Sequence, residues 1–302
     1  MVYNVAVIGI GKVGYEFEKD LLRDKPASHV GAYLACPEVN LAGVADVDEE
    51  KLEAFKAEHP KVAVYRSYQE LMEKEKPQIV SVCTPVTTHA PIIYDVVKYE
   101  SPKAIFCEKP LAHNIDAAKE MVKVCRENGV LLSVNFTRRW DDAYRETKRI
   151  IDSRSLGDLR AVVGYASREK DFPGNIHLID ALNYLSGNNI DLCRYIDCHR
   201  INYLIFELHV ILSDGKIQIL DNGREFKFYK TVESKRYRLK ELGEVKQLKP
   251  LQYSFSQAML NAVKDIVKSI EEKREPQCTG EDGIKALTSY NVLRKKGVVN
   301  NP

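Results

Sequence analysis

The first stretch with chemistry in it is Gly9-Ile10-Gly11-Lys12-Val13-Gly14. Glycine at the first, third and sixth positions, directly after an apolar run over residues 3–8, is the spacing of a strand that turns while leaving its backbone bare. Gly9 closes the strand, Gly11 lets a pyrophosphate approach the main chain, and Gly14 lets the next segment pack close. A helix starting there, read over residues 12–23, would point free amides at the phosphates. The next strand ends in Gly43-Val44-Ala45-Asp46. A carboxylate at that place accepts hydrogen bonds from the adenosine ribose hydroxyls, which favours NAD over NADP. The interval from Gly14 to Asp46 exceeds the usual spacing of about 20 residues. The excess is read as an inserted loop over residues 24–40, which holds Pro26 and Pro37.

Two later strand ends carry unusual residues. Cys83-Thr84-Pro85 ends one apolar run, with His89 shortly after it, and Glu108-Lys109-Pro110 follows the next. Ligands of an open parallel sheet sit beyond the carboxyl ends of its strands. The glycine turn, Thr84-Pro85 and Lys109 are therefore expected around one cleft, with His89 within reach of cofactor or substrate.

The elements that must position these residues follow from the apolar pattern. Runs over 3–8, 41–45, 62–65, 78–83, 104–107 and 130–136 read as strands. Helical stretches lie between them at 49–58, after the capping box Ser67-Tyr68-Gln69-Glu70, at 89–98, and from Asn114 or Ile115 to Asn128, where Gly129 is a natural stop. Alternating strands and helices imply a doubly wound parallel sheet. The pattern then changes: helices at 139–153 and 176–185, strands at 160–167, 201–212, 216–220 and 225–229, and helices at 254–273 and 280–295. Asp214-Gly215 is a hairpin signal within this second half. The fold class expected is α/β, a Rossmann domain over residues 1–125 followed by an α+β domain over 126–302 with a mostly antiparallel open sheet.

Composition excludes several classes. With 302 residues, 44% hydrophobic and 29% charged, the chain is an ordinary globular one. No apolar run reaches the roughly 18 residues of a membrane span. The start, Met1-Val2-Tyr3-Asn4, enters a strand without a basic and apolar leader, so the cytoplasm is expected. The seven cysteines, Cys36, Cys83, Cys107, Cys125, Cys193, Cys198 and Cys278, are odd in number and scattered, which argues against a disulfide framework. Cys193, Cys198 and His199 lack a second ligand pair at suitable spacing, so no metal site is expected. Net charge is +2. Residues 216–250 hold ten Lys/Arg against five acids. This stretch reads as the solvated face of a sheet or as a face attracting an anionic substrate. No aromatic platform or recognition helix supports nucleic-acid binding.

Cys107-Glu108-Lys109-Pro110-Leu111-Ala112 resembles a signature of the Gfo/Idh/MocA oxidoreductase family. Val134-Asn135-Phe136-Thr137-Arg138-Arg139, Ser155-Leu156-Gly157-Asp158-Leu159, Gly174-Asn175-Ile176-His177-Leu178-Ile179-Asp180 and Thr279-Gly280-Glu281-Asp282-Gly283 are similar to its later signatures. The resemblance covers nearly the whole chain. It implies an NAD(P)-linked oxidoreductase of sugars, cyclitols or nucleotide sugars that assembles as a homodimer or homotetramer. It also implies that Lys109 and His177 are catalytic. An ammonium beside the hydroxyl oxygen stabilises the developing alkoxide and helps pass the proton. His177 would relay it.

Gly9, Ile10, Gly11, Lys12, Val13, Gly14, Asp46, Cys83, Thr84, Pro85, His89, Glu108 and Lys109 are then the expected cofactor wall. Lys109, Arg138, Asp180 and His177 are expected to face substrate. Arg139 is expected in a structural ion pair, and Trp140 and Tyr144 either line the site or pack in the core. One departure stands out: many members carry an aspartate four residues before the histidine, where this chain has Pro173. That departure motivates a second reading, a catalytically impaired NAD-binding sensor or assembly protein of the same fold.

Overall fold

A computed structural model describes residues 2–167, 175–198, 201–236, 238–245 and 251–295. The chain divides into two compact units. The first holds Met1–Trp140 and Phe255–Ile284, the second Asp141–Ser254 and the chain from Lys285.

In the first unit, strands alternate with helices: β1 (Tyr3–Ile8), α1 (His29–Leu34), β2 (Val39–Ala45), α2 (Glu49–Glu58), β3 (Ala63–Tyr65), α3 (Tyr68–Glu75), β4 (Ile79–Val82), α4 (Val86–Val96), β5 (Ala104–Cys107), α5 (Ile115–Glu127) and β6 (Leu131–Val134). The strands form one parallel sheet in the order β3-β2-β1-β4-β5-β6. β4 and β5 are buried at every position, as helix cover on both faces requires.

The second unit begins with α6 (Asp142–Asp152), β7 (Leu159–Ala166), α7 (Ile176–Ser186), β8 (Cys193–Asp197), β9 (Phe206–Leu212), β10 (Gly215–Leu220), β11 (Glu225–Glu233) and β12 (Lys240–Glu244). Its sheet runs β12-β11-β10-β9-β7-β8, antiparallel except where β7 pairs with β8. The lysines at 216, 227, 230 and 240 lie on these strands at exposed or half-buried positions, as a solvated face requires. Two helices close the chain, α8 (Phe255–Glu272) and α9 (Gly280–Lys295).

Three expectations need correction. The domain boundary is not at 125/126. β6 pairs with β5 in the first sheet, and the chain later returns to that unit as α8, whose stripe of Ala258, Met259, Ala262, Val263, Ile266 and Val267 is buried. Burying Met259, Val263 and Ile266 is worth roughly 1.5–3 kcal/mol each, an upper bound. The helix expected over 12–23 is absent. That stretch is a wide turn followed by a single 3-10 turn, Glu16–Glu18. The insertion is likewise misplaced, because α1 lies within residues 24–40. Two strands went unread, β8 and β12, and both are sheet edges.

Candidate active site

The register of the first sheet lines up five strand ends. Ala45, Ile8, Val82, Cys107 and Val134 are successive partners across β2, β1, β4, β5 and β6. The residues one step beyond are Asp46, Gly9, Cys83, Glu108 and Asn135. The ladder continues through them: Gly9 N–H donates to Ala45 O (2.7 Å), Cys83 N–H to Ile8 O (2.8 Å), Glu108 N–H to Val82 O (2.9 Å) and Asn135 N–H to Cys107 O (2.8 Å). Sheet hydrogen bonds thus set the sequence-predicted residues in one row at the carboxyl edge.

The turn after β1 is shaped by missing side chains. Gly9 has φ +91°, and a Cβ there would lie 3.0 Å from Cys83 and Thr84 atoms. A Cβ on Gly14 would collide with the Gly9 carbonyl oxygen. At Gly11 an added Cβ would meet only Lys51 Nζ, at 4.0 Å. Tyr15 N–H closes on Gly11 O (2.8 Å), and Phe17 N–H on Lys12 O (2.9 Å). The amides of Gly11, Lys12, Val13 and Gly14 donate to no protein acceptor among the described residues. Bare backbone with amides not used by the protein is what a dinucleotide pyrophosphate needs.

Beyond the first turn the chain leaves and comes back. Val13 O accepts from His29 N–H (3.0 Å) and Gly14 O from Val30 N–H (3.1 Å), so α1 resumes the interrupted helix. The Glu18 carboxylate closes the excursion on Ala27 N–H (2.9 Å) and Ser28 Oγ (2.8 Å), and Ser28 Oγ in turn caps α1 at Gly31 N–H. A Cβ on Gly31 would strike Glu18. Tyr15 packs edge-on against Phe55, and Lys19 pairs with Glu58 at 2.6 Å, which ties the excursion to α2.

Asp46 is already at work in the protein. Its Oδ2 accepts from Ile10 N–H (2.8 Å) and its Oδ1 from Asp48 N–H (3.1 Å). The carboxylate fixes the glycine turn while each oxygen keeps a lone pair for a ribose hydroxyl. The residues present therefore fit NAD: bare backbone at Gly11, amides without a protein acceptor among the described residues, and an acid at the end of β2.

Thr84 and Pro85 lead into α4, with Thr88 Oγ1 2.8 Å from both Thr84 Oγ1 and the Pro85 carbonyl. His89 is turned inward. Its Nε2 faces the Thr84 carbonyl (2.8 Å) and its Nδ1 the Leu111 carbonyl (3.1 Å), so it braces the ends of β4 and β5 against each other.

The Glu108 carboxylate also turns inward. His29 Nε2 lies 2.9 Å from Oε1, Asn135 Nδ2 donates to Oε1 (2.6 Å), and the Lys109 amide donates to Oε2 (3.3 Å). Behind His29, Nδ1 meets Ser81 Oγ (2.8 Å), and Ser81 meets Tyr33 OH (2.7 Å). Burial pushes the Glu108 carboxyl up, but the His29 hydrogen bond, the charges of His29 and Lys109 and the Asn135 amide outweigh it and hold it below its ordinary value. Burial, and after it the Glu108 charge, pushes the thiols of Cys83 and Cys107 well up, so both stay protonated beside this charge.

Arg138 lies half-buried in the 3-10 turn Thr137–Trp140. Arg139 pairs with Asp282 at 3.2 Å, the expected structural ion pair. Trp140 is core: it lies edge-on to Phe106 and donates to Asp265 Oδ2 (2.9 Å). Tyr144 packs in the second unit, edge-on to Phe226 and Tyr253.

In the second unit His177 is half-buried in the first turn of α7, and Asp180 is buried one turn on. α7 is seated on β7 because Gly164 leaves room for Leu178, where a Cβ would stand 2.9 Å from that side chain. Its cap residue Asn175 accepts from Leu178 N–H (3.2 Å) and donates its own amide to Tyr195 OH (3.2 Å). Pro173 lies outside the described residues, as does His199. Sequence reasoning missed His29, Ser81 and Tyr33. No local signal marks His29, because the excursion that carries it is set by tertiary contacts.

A parallel sheet in this order, with a glycine turn after β1 and an acid after β2, defines a dinucleotide-binding Rossmann domain. Residues 3–136 match the family model GFO_IDH_MocA, the oxidoreductase family with an NAD-binding Rossmann fold. The chain is 22% identical to the oxidoreductase YrbE of Bacillus subtilis (strain 168), over 93% of this chain and 90% of that protein. It is 34% identical to the NAD(+)-dependent scyllo-inositol 2-dehydrogenase of the same organism, over 61% of this chain, which spans about half of that protein (54%). Its fold is similar to that of UDP-N-acetylglucosamine 3-dehydrogenase from Acidithiobacillus ferrooxidans, with TM-score 0.77, 17% identity, and 98% and 97% of the two chains covered. Among the described residues no helix is long and apolar enough to cross a membrane.

Proposed function

We propose that the chain is an NAD-dependent dehydrogenase or reductase of a hydroxylated small molecule, a sugar, cyclitol or nucleotide sugar, acting at a CH–OH carbon. The observation that carries this is the row of strand ends, which puts Glu108-Lys109 on the same edge as the glycine turn. The activities of the scyllo-inositol and UDP-N-acetylglucosamine dehydrogenases support the substrate class.

In this reading Gly9 to Gly14, Asp46, Cys83, Thr84 and Pro85 hold the cofactor. When bound, NAD supplies the acceptor for the substrate's hydride. Lys109 binds the oxygen on the reacting carbon, and its ammonium offsets the negative charge that grows there as the proton leaves. His177 takes the proton onward, and Arg138 and Asp180 orient the remaining hydroxyls. The proposed assembly is a homodimer or homotetramer, supported by the exposed Ile196, Ile211, Val232 and Leu242 of the second unit's strands.

The test is turnover with NAD across a panel of cyclitols, free sugars and nucleotide sugars. At least one should be oxidised at a rate that His177→Ala lowers by roughly 100-fold. NAD binding without turnover of any panel member would contradict the reading.

A further inference from the structure

We propose that His29 is a positioning residue for Lys109, acting through the Glu108 carboxylate. The inference rests on the reading of Lys109 as the group that binds the reacting oxygen, and it adds a residue to which no role has been assigned.

His29 is fully buried (0% exposed), between Ser81 on one ring nitrogen and Glu108 on the other. Its ring lies against Phe106, with centroids 4.6 Å apart. Its backbone amide is bonded to Val13 O, so it is fixed directly to the glycine turn. The carboxylate it holds has one oxygen on His29 and Asn135 and the other on the Lys109 amide. One contiguous set of bonds therefore runs from the cofactor turn to the backbone of the lysine.

A buried imidazole–carboxylate pair is a poor way to gain stability. Desolvation cancels most of its attraction, and apolar residues of the same volume would hold the core as well. What the pair does provide is a single position for a charge. With the His29 N–H in place, both Glu108 oxygens are held, and Lys109 starts from a fixed amide beside a fixed negative charge. Without it the carboxylate is free to turn towards the ammonium, which would draw Lys109 off the substrate oxygen.

The groups that face Glu108 are His29 from α1, Asn135 after β6, Lys109 itself, and the thiols of Cys83 and Cys107, which burial keeps neutral. Only the lysine among these is both charged at neutral pH and assigned to the reaction.

The experiment uses the full chain, NAD, and the panel compound with the highest turnover. His29→Phe keeps the ring volume and removes both nitrogens, whereas His29→Gln keeps an amide N–H that can reach Glu108. His29→Phe should lower kcat by roughly 10- to 100-fold while NAD affinity, read by fluorescence titration, stays within about threefold. His29→Gln should restore most of that loss. Should His29→Phe not fold, Glu108→Gln keeps the shape and removes the charge; it should lower kcat and move the alkaline edge of the kcat profile to lower pH. Equal losses of kcat and NAD affinity, no rescue by glutamine, or an unmoved profile in Glu108→Gln would each overturn the proposal. Turnover that survives Lys109→Ala would instead overturn the reading on which it rests, independently of His29.

Discussion

The ends of β1 and β5 stand in the same row of the same sheet and are built by opposite means. After β1 the chain works through what is missing: no side chain at Gly9, Gly11 or Gly14, a carbonyl packed where a Cβ would be, and amides that no acceptor among the described residues uses. After β5 it works through what is present: a buried carboxylate with three donors, anchoring the residue beside it. The first arrangement suits a ligand that brings its own charge, since backbone dipoles receive it without competing. The second suits a reaction in which charge develops, since a fixed ion must already be in place. α1 belongs to both, continuing the helix of the glycine turn and supplying His29 to the carboxylate.

The largest effect on NAD affinity is expected at the β1 end. Gly14→Ala places a methyl group on the Gly9 carbonyl, and NAD affinity should fall by about 100-fold or more, or ~2.7 kcal/mol, in a titration. Binding near normal would mean that the turn opens easily and that the comparison is drawn too sharply.

Asp46→Asn is a smaller and more selective perturbation. The amide oxygen can still accept from Ile10 N–H, so the turn should persist, while the ribose loses a charged acceptor. NAD affinity should fall by about tenfold and NADP affinity should fall less or rise. Equal losses would make Asp46 purely a brace of the turn.

The smallest effect concerns a carboxylate outside the row. Asp141 caps α6 through the Ala143 and Tyr144 amides and accepts from Ser254 N–H, and burial pushes it up to about 6 against those three donors. A carboxyl raised in the folded state binds its proton more tightly there than in the unfolded chain. Its stabilising contribution therefore appears as pH falls through about 6 and is complete below the unfolded value near 3.8. Compared with Asp141→Asn, the wild type should gain ~2 kcal/mol between pH 7 and pH 4 in denaturant melts. A constant difference across that range would show that Asp141 is not strained by its burial. Glu108, buried beside cationic groups and held low, should show no such gain, which sharpens the contrast between an acid facing positive charge and one held by amides alone.

Much of this row was legible in sequence because parallel strands bury both faces and end at marked residues: Gly9, Asp46, Cys83-Thr84-Pro85, Glu108-Lys109. His29 was not. Residues 15–23 contain Glu, Lys and Leu in a helix-compatible order, and nothing local says that the chain must leave. What forces the excursion is tertiary, namely the Glu18 carboxylate on Ser28 and Tyr15 against Phe55. β12 escaped for another reason. It is an exposed edge strand rich in charge, the composition that edges use to stay unpaired with other chains. The return of α8 to the first unit was hidden because its apolar stripe states only that it packs, not against what. His89 and Asp46 show the converse: their positions were readable, but the carbonyls and amides they hold were not.

Lys109→Ala decides whether the lysine at the β5 end does the chemistry while the turn at the β1 end does the binding. NAD affinity and kcat should be measured on the same preparation. Turnover should fall by roughly 1000-fold or more with NAD affinity within a few-fold of wild type. Near-normal turnover, or a loss of NAD affinity as large as the loss of turnover, would contradict that division.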